Sequence, residues 1–322
     1  MDLLKRIIPI VLLACLLCAC AEHPVAPTIS QTGPSTHPAT VPSTAPPETT
    51  LPPETVPPEP EIPSILDFLR IAAQPVGQTM YVWGGGWNEE DTGAGIEAVT
   101  LGLSPQWATF AAAQTANYDY KSTRYQIHDG LDCSGYVGWA IYNVLETENG
   151  QPGYVSKASG MAQALSDRGL GSYIPVQDMT QWLPGDIMSM RGHVWITVGM
   201  CADGSVLLLH ASPPGVIFSG TLLPDGSESE ASMLAERITQ VHFPDWYNRF
   251  PHCARSNTYL KNSSAMRWSA DVLSDPEALR DMTAEEVVDL IFAAEKTTPD
   301  GVVFHYNLFS TALRLRGWHH PP

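Results

Sequence analysis

The sequence predicts an α+β protein. Helices come first, one of them with a cysteine at its start, and they pack on an antiparallel β-sheet supplied by the second half of the chain. Three observations predict it. Apolar residues recur at helical spacing at Ile65, Phe68, Leu69 and Ala72, and again at Tyr136, Val137, Ala140, Ile141 and Val144. Residues 192–198 and 206–209 read as strands, joined through Asp203-Gly204, a dipeptide that favours a hairpin turn. The helical segments precede the strands instead of alternating with them. At 44% hydrophobic and 9% aromatic, the 322 residues hold enough apolar surface for a real core.

Charge and proline organise the rest. Asp and Glu number 34 against 17 Lys and Arg, a formal charge of −17 that repels phosphate backbones, so general nucleic-acid binding is excluded. Proline, at 28, outnumbers glycine at 25. Thirteen of the prolines lie in residues 21–63, with eleven Ser/Thr, five Glu, and no Lys, Arg or aromatic residue. Such a segment buries too little apolar surface to offset its ordering entropy. It reads as a disordered tether of polyproline character reaching roughly 100 Å. Ahead of it, Lys5-Arg6 and an apolar stretch from Ile7 to Ala19 make a signal peptide, too short to span a membrane as a helix.

The stretch ends Leu17-Cys18-Ala19-Cys20, which resembles the bacterial lipoprotein lipobox. The resemblance implies cleavage after residue 19 and a diacylglycerol on Cys20. That would anchor the protein, outside the cytoplasm, to the bacterial membrane without crossing it. Leu12-Leu13-Ala14-Cys15 also fits the box but leaves an apolar core of only eight residues, and an ordinary secretory peptide is the third reading. The chain thus divides into residues 1–19, 20–63, and a folded part from 64.

The folded part opens with the helix begun at Ile65. Then Tyr81-Val82-Trp83-Gly84-Gly85-Gly86-Trp87 predicts backbone packed closely against a neighbour, because three glycines stand beside aromatics. Gly93 and Gly95 suggest a loop, and residues 107–116 a short Ala-rich helix. Leu131-Asp132-Cys133-Ser134-Gly135 follows, with Cys133 at a helix start, where unpaired amides and the helix dipole favour the thiolate. A thiolate nucleophile needs a base. After the turn Leu183-Pro184-Gly185-Asp186, His193 opens one strand and His210 ends the next, so a Cys-His-His arrangement is available. A two-residue turn at Asp203-Gly204 pairs Thr197 with His210. That puts the histidines on one face but about 13 Å apart, and contact requires a bulge or a longer loop at 201–204.

Four segments in order, Tyr81-x-Trp83-Gly84-Gly85, Asp132-Cys133-Ser134-Gly135, Leu183-Pro184-Gly185-Asp186 with Gly192-His193-Val194, and His210-Ala211-Ser212, resemble the NlpC-type cysteine peptidases. These are a papain-like family that cuts bacterial cell-wall peptides. The resemblance covers residues 64–253. It implies a papain-like fold with Cys133 as nucleophile, His193 as general base and His210 as the orienting residue. Tyr81 would place its hydroxyl near the oxyanion hole, and Asp132, Ser134 and Trp83 would bind substrate. The reaction it implies is hydrolysis of the γ-D-glutamyl–diamino-acid amide of peptidoglycan stem peptides through a thioester, with no metal or cofactor. An amidase cutting the N-acetylmuramoyl-L-alanine bond, a transacylase, and a non-catalytic wall-binding lipoprotein are the alternatives. The chain departs from the family in placing Tyr81 52 residues before Cys133, with an insertion at about 88–128, and in Lys157 where an arginine is frequent.

Residues 237–243 alternate as a last strand, and the aromatic stretch 244–251 is expected on the sheet. Ser274-Asp275-Pro276-Glu277 and Thr283-Ala284-Glu285-Glu286 read as capping boxes. The second opens an amphipathic helix with Val287, Leu290, Ile291 and Ala294 on one side, so residues 254–322 read as a helical extension. Cys201 and Cys253 are open to two readings, a bridge or two buried thiols.

Overall fold

The computed structural model describes residues 62–251 and 259–293. The signal segment, Cys20, the tether up to residue 61, Cys253, Ala294 and the C-terminal histidines lie outside them.

One mixed sheet organises the described residues. Its strands are β1 (Met80–Tyr81), β2 (Gly130–Leu131), β3 (Gly171–Ile174), β4 (Ile187–Met190), β5 (His193–Met200), β6 (Val206–Ser212), β7 (Gly215–Gly220) and β8 (Ser264–Trp268). Their order is β2-β1-β7-β6-β5-β4-β8-β3. Only β1 and β2 run parallel; the other neighbours are antiparallel. The helices are α1 (Ile65–Ala73), α2 (Pro105–Ala113), α3 (Cys133–Leu145), α4 (Met161–Asp167), α5 (Glu230–His242), α6 (Pro244–Arg249), α7 (Tyr259–Asn262) and α8 (Ala284–Phe292).

Both sheet faces are covered, so the central strands are buried nearly end to end. On one face Val194, Ile196, Val198, Leu207, Leu209 and Phe218 meet the apolar sides of α1, α3, α5 and α8. On the other, Trp246 and Phe250 cover Met80 and Ile217, while Tyr259 and Leu260 pack by Trp195 and Leu208. Helix α1 carries the predicted face, with Ile65, Phe68, Leu69 and Ala72 fully buried, and starts at a Ser64–Asp67 capping box. Tyr136 of α3 donates its hydroxyl to Ala72 O of α1 at 2.7 Å, so the two helices are pinned to each other.

The Ala-rich helix forms at Pro105–Ala113, and the Thr283–Glu286 box opens α8 with Val287 and Ile291 buried. Three expectations are corrected. Residues 237–243 are the end of helix α5: Ala231, Leu234, Ala235 and Ile238 lie on its buried side, and Val241, which strand alternation would bury, is 66% exposed. Ser274 caps no helix; its amide donates to Pro63 O and its carbonyl accepts from Ile65 N, tying the chain to the start of α1. The described part of the segment after residue 253, residues 259–293, is not helical alone, because β8 lies inside the sheet between β4 and β3, and α8 packs on β5. The catalytic domain anticipated at 64–253 therefore does not close without residues beyond it.

Candidate active site

Tyr81 and Cys133, 52 positions apart in sequence, are brought together by strand pairing. Met80 faces Gly130 and Tyr81 faces Leu131 in the parallel pair, so Tyr81 stands two residues from Cys133 across the ladder. The glycines carry this junction. A Cβ on Gly85 would sit 2.3 Å from Gly130 O, and one on Gly135 would sit 2.0 Å from Gly85 O. Gly86 adopts φ +85°, a left-handed conformation that suits glycine. Asp132 N donates to Gly85 O at 3.0 Å. The triple glycine is thus the surface on which the helix bearing Cys133 begins.

Cys133 is the first residue of α3, as predicted, and Asp132 is its N-cap, accepting from Gly135 N at 2.8 Å. The Asp132 carboxylate also accepts from the Ser134 hydroxyl at 2.9 Å and from Gly84 N at 3.3 Å. Ser134 Oγ accepts in turn from Trp87 Nε1 at 3.0 Å. Asp132 and Ser134, expected to bind substrate, hold the helix start in this structure. Trp83 is 44% exposed, and the Arg124 guanidinium lies over its ring at 4.9 Å. Tyr81 is buried; its ring meets Tyr120 edge-on at 5.5 Å, and its carbonyl accepts from the Tyr118 hydroxyl at 2.7 Å. Tyr118 and Tyr120 therefore wrap the tyrosine beside the cysteine. Beside it an open pocket of about 520 Å³ is lined by Gly84, Trp87, Tyr125 and Ile127 among others, and by none of Cys133, His193 and His210.

The histidines meet. His193 Nε2 lies 2.8 Å from His210 Nδ1, with ring centroids 5.0 Å apart and planes at 74°. The sequence register would have separated them. In the structure Ile196 faces Leu209 and Thr197 faces Leu208, with a bulge between Thr197 and Gly199. Cys201 N bonds Ser205 O, so the turn is also longer than two residues. These two devices slide β6 two positions along β5, which brings His210 opposite Trp195 and beside His193.

His210 is fully buried, and its Nε2 lies 3.0 Å from Ser219 Oγ on β7. Two proton arrangements satisfy this chain. In one, Ser219 donates to His210 and His210 to His193, which forces the remaining proton of neutral His193 onto Nδ1. In the other, His193 Nε2–H donates to His210 Nδ1 and His210 Nε2–H donates to Ser219. Only the second leaves Nδ1 of His193 with a lone pair able to take a proton.

The backbone amide of Val194, the residue after His193, is among the groups that lower the Cys133 thiol. Among the described residues, no hydrogen bond joins Sγ to an imidazole nitrogen. Burial, and then the Asp132 carboxylate, push the thiol up to about 12 against the lowering by amides. The helix start alone was expected to lower it; desolvation outweighs that. Burial lowers His193 to about 4 and His210 well below its ordinary value, His193 adding to the latter. The resting site is therefore an uncharged thiol beside uncharged imidazoles.

This has a consequence for stability. An unfolded histidine takes up a proton near pH 6.5, whereas His193 holds out to about 4. The unfolded chain then binds more protons than the folded one below pH 6.5, so stability falls with pH through that window and levels off near 4. The wild type is expected to lose more of its denaturation midpoint between pH 7 and 5 than a His193→Gln/His210→Gln variant. Equal losses in urea titrations would contradict it.

Several contributors were missed. Ser219 and Trp87 carry no motif of their own, and Tyr259 sits in a segment read as an extension. Tyr259 packs on His193 with centroids 5.3 Å apart, on Trp195 at 5.9 Å and on His210 at 6.1 Å. No family model, curated protein or solved structure matches the chain.

Proposed function

We propose that the chain is a cysteine endopeptidase that cuts the γ-D-glutamyl–diamino-acid amide of peptidoglycan stem peptides. One observation carries the reading: a cysteine starts a helix that packs on β5 and β6, and the histidines of those two strands are hydrogen-bonded to each other. The helix of Cys133 packed on β5 and β6 supports a papain-like arrangement. The lipobox-like Leu17-Cys18-Ala19-Cys20 supports a lipid anchor at Cys20 and a site outside the cytoplasm, on the bacterial membrane.

In this reading the sulfur of Cys133 attacks the amide carbonyl carbon while Nδ1 of His193 takes the thiol proton. His210 accepts from Nε2–H of the resulting imidazolium and holds the ring in place. The backbone amide of Cys133 and the Tyr81 hydroxyl face the developing oxyanion. The C–N bond then breaks, the amine leaves with the proton from His193, and a thioester remains. Water adds to the thioester with His193 as base, and the carboxylate departs as the thiol regains its proton. Because the resting pair is neutral, proton transfer accompanies attack instead of preceding it.

The neutral thiol also favours a second reading, a wall-peptide binder without turnover. Incubating the protein and Cys133→Ala with muropeptides separates the two. The peptidase reading expects new termini at the γ-D-glutamyl amide from the wild type alone, read by mass spectrometry. Peptide bound but uncut by both supports the binder, and cleavage at the N-acetylmuramoyl-L-alanine bond replaces the proposed bond with an amidase one.

A further inference from the structure

Tyr259 lies 66 residues beyond His193 in sequence, in the four-residue helix α7. Its ring faces three neighbours on the same side of the sheet. The His193 ring is 5.3 Å away and tilted 39°, the Trp195 ring is 5.9 Å away and stacked at 24°, and the His210 ring is 6.1 Å away and edge-on at 73°. The placement is fixed from both sides. Helix α7 runs through Ser263 into β8, which is hydrogen-bonded to β4 and β3. Trp195 Nε1 donates to Ser263 Oγ at 3.3 Å, which ties the stacking partner to the same segment.

We infer that Tyr259 is a positioning residue for the histidine pair, its ring fixing His193 in the orientation that hydrogen-bonds His210. A histidine at the first position of a strand, half-buried, has open rotamers to turn into. His210 constrains Nε2 through one hydrogen bond, and an imidazole can rotate about that contact. A flat ring against its face removes the freedom, and Trp195 stops the tyrosine from yielding. Aromatic pairs of this geometry contribute beyond their buried area. Burial, and then the thiolate that Cys133 could form, raise Tyr259 to about 12. The ring, and not the hydroxyl, carries the positioning, so phenylalanine should serve.

The test reads the imidazoles directly. In the full chain labelled with ¹⁵N-histidine, the ring-nitrogen shifts of His193 and His210 are assigned with His193→Gln and His210→Gln. Wild type and Tyr259→Phe are expected to show one fixed tautomer at each ring, with a bare and a protonated nitrogen resolved. Tyr259→Ala and Tyr259→Leu are expected to show averaged shifts at His193, with the thermal transition retained. Leucine fills much of the volume without offering a flat face, so it guards against a variant that merely unfolds. A fixed tautomer in folded Tyr259→Ala or Tyr259→Leu would overturn the inference, as would averaging in Tyr259→Phe.

A kinetic arm rests on the peptidase reading. There kcat is expected to fall about tenfold or more in Tyr259→Ala with KM little changed, and to recover in Tyr259→Phe. The two readings fail separately. Absence of any cleavage by the wild type removes the peptidase and leaves the tautomer result standing. Active enzyme whose tautomers ignore the ring removes the inference alone.

Discussion

Replacing Arg267 by alanine is expected to cost about 3–5 kcal/mol of folding stability. Asp186 is fully buried, and the Arg267 guanidinium grips it as a fork, Nε to Oδ1 at 3.0 Å and Nη2 to Oδ2 at 2.7 Å. The carboxylate has one further donor, Leu183 N at 3.1 Å. Burial already raises Asp186 despite the guanidinium, so removing Arg267 leaves a desolvated charge with little to hold it. The turn it anchors matters as well. Gly185 N and Asp186 O both bond Thr197, and Trp268 Nε1 donates to Gly185 O at 2.8 Å, so the turn joins β4, β5 and β8. Urea denaturation of Arg267→Ala gives the value. Adding Asp186→Asn in the same chain should recover part of the loss, because an amide is cheaper to bury than a carboxylate. A loss under about 1 kcal/mol would mean the pair is solvated in a way its geometry denies.

Gly135→Ala is expected to destabilise the protein by about 1–3 kcal/mol and to remove any activity at Cys133. Position 135 is helical, so on propensity alone alanine should gain about 1 kcal/mol. The added Cβ, however, would lie 2.0 Å from Gly85 O and 2.9 Å from Gly86 Cα. Both are backbone atoms of a segment bonded to Asp132, and neither can swing aside as a side chain can. Steric cost therefore exceeds propensity, and relief must come by moving the start of α3. Gly93→Ala, with nothing within 4 Å of the new Cβ, is the neutral control. A Gly135→Ala chain more stable than wild type would show that the helix start gives way more easily than this contact allows.

Much of the site is legible in the sequence because its signals are local. A capped helix start announces Cys133, and a glycine run announces the close approach at Gly85. What stays hidden depends on distant partners. Arg267 sits 81 residues from Asp186, in a five-residue strand, Ser264-Ala265-Met266-Arg267-Trp268, too short for its alternation to stand out. The contact of His193 with His210 turns on one extra residue in β5 and one in the turn after it, and neither leaves a mark in composition. The 237–243 error arises from a short window. Alternation over seven residues mimics a strand, while the helical spacing that decides begins at Ala231 under the Ser229 cap.

The position of β8 has a consequence for when the molecule can become whole. A polypeptide is made from its N-terminus. A nascent chain that has emerged only through residue 258 already holds Cys133, both histidines and Tyr81. It lacks the strand that separates β4 from β3, the counter-charge of Asp186 and the ring over His193. Every group named in the proposed mechanism is thus present early, while the parts that brace them arrive in the last fifth of the chain. Bracing of Cys133 and the histidine pair therefore waits until residues 259–268 have been made, late in synthesis.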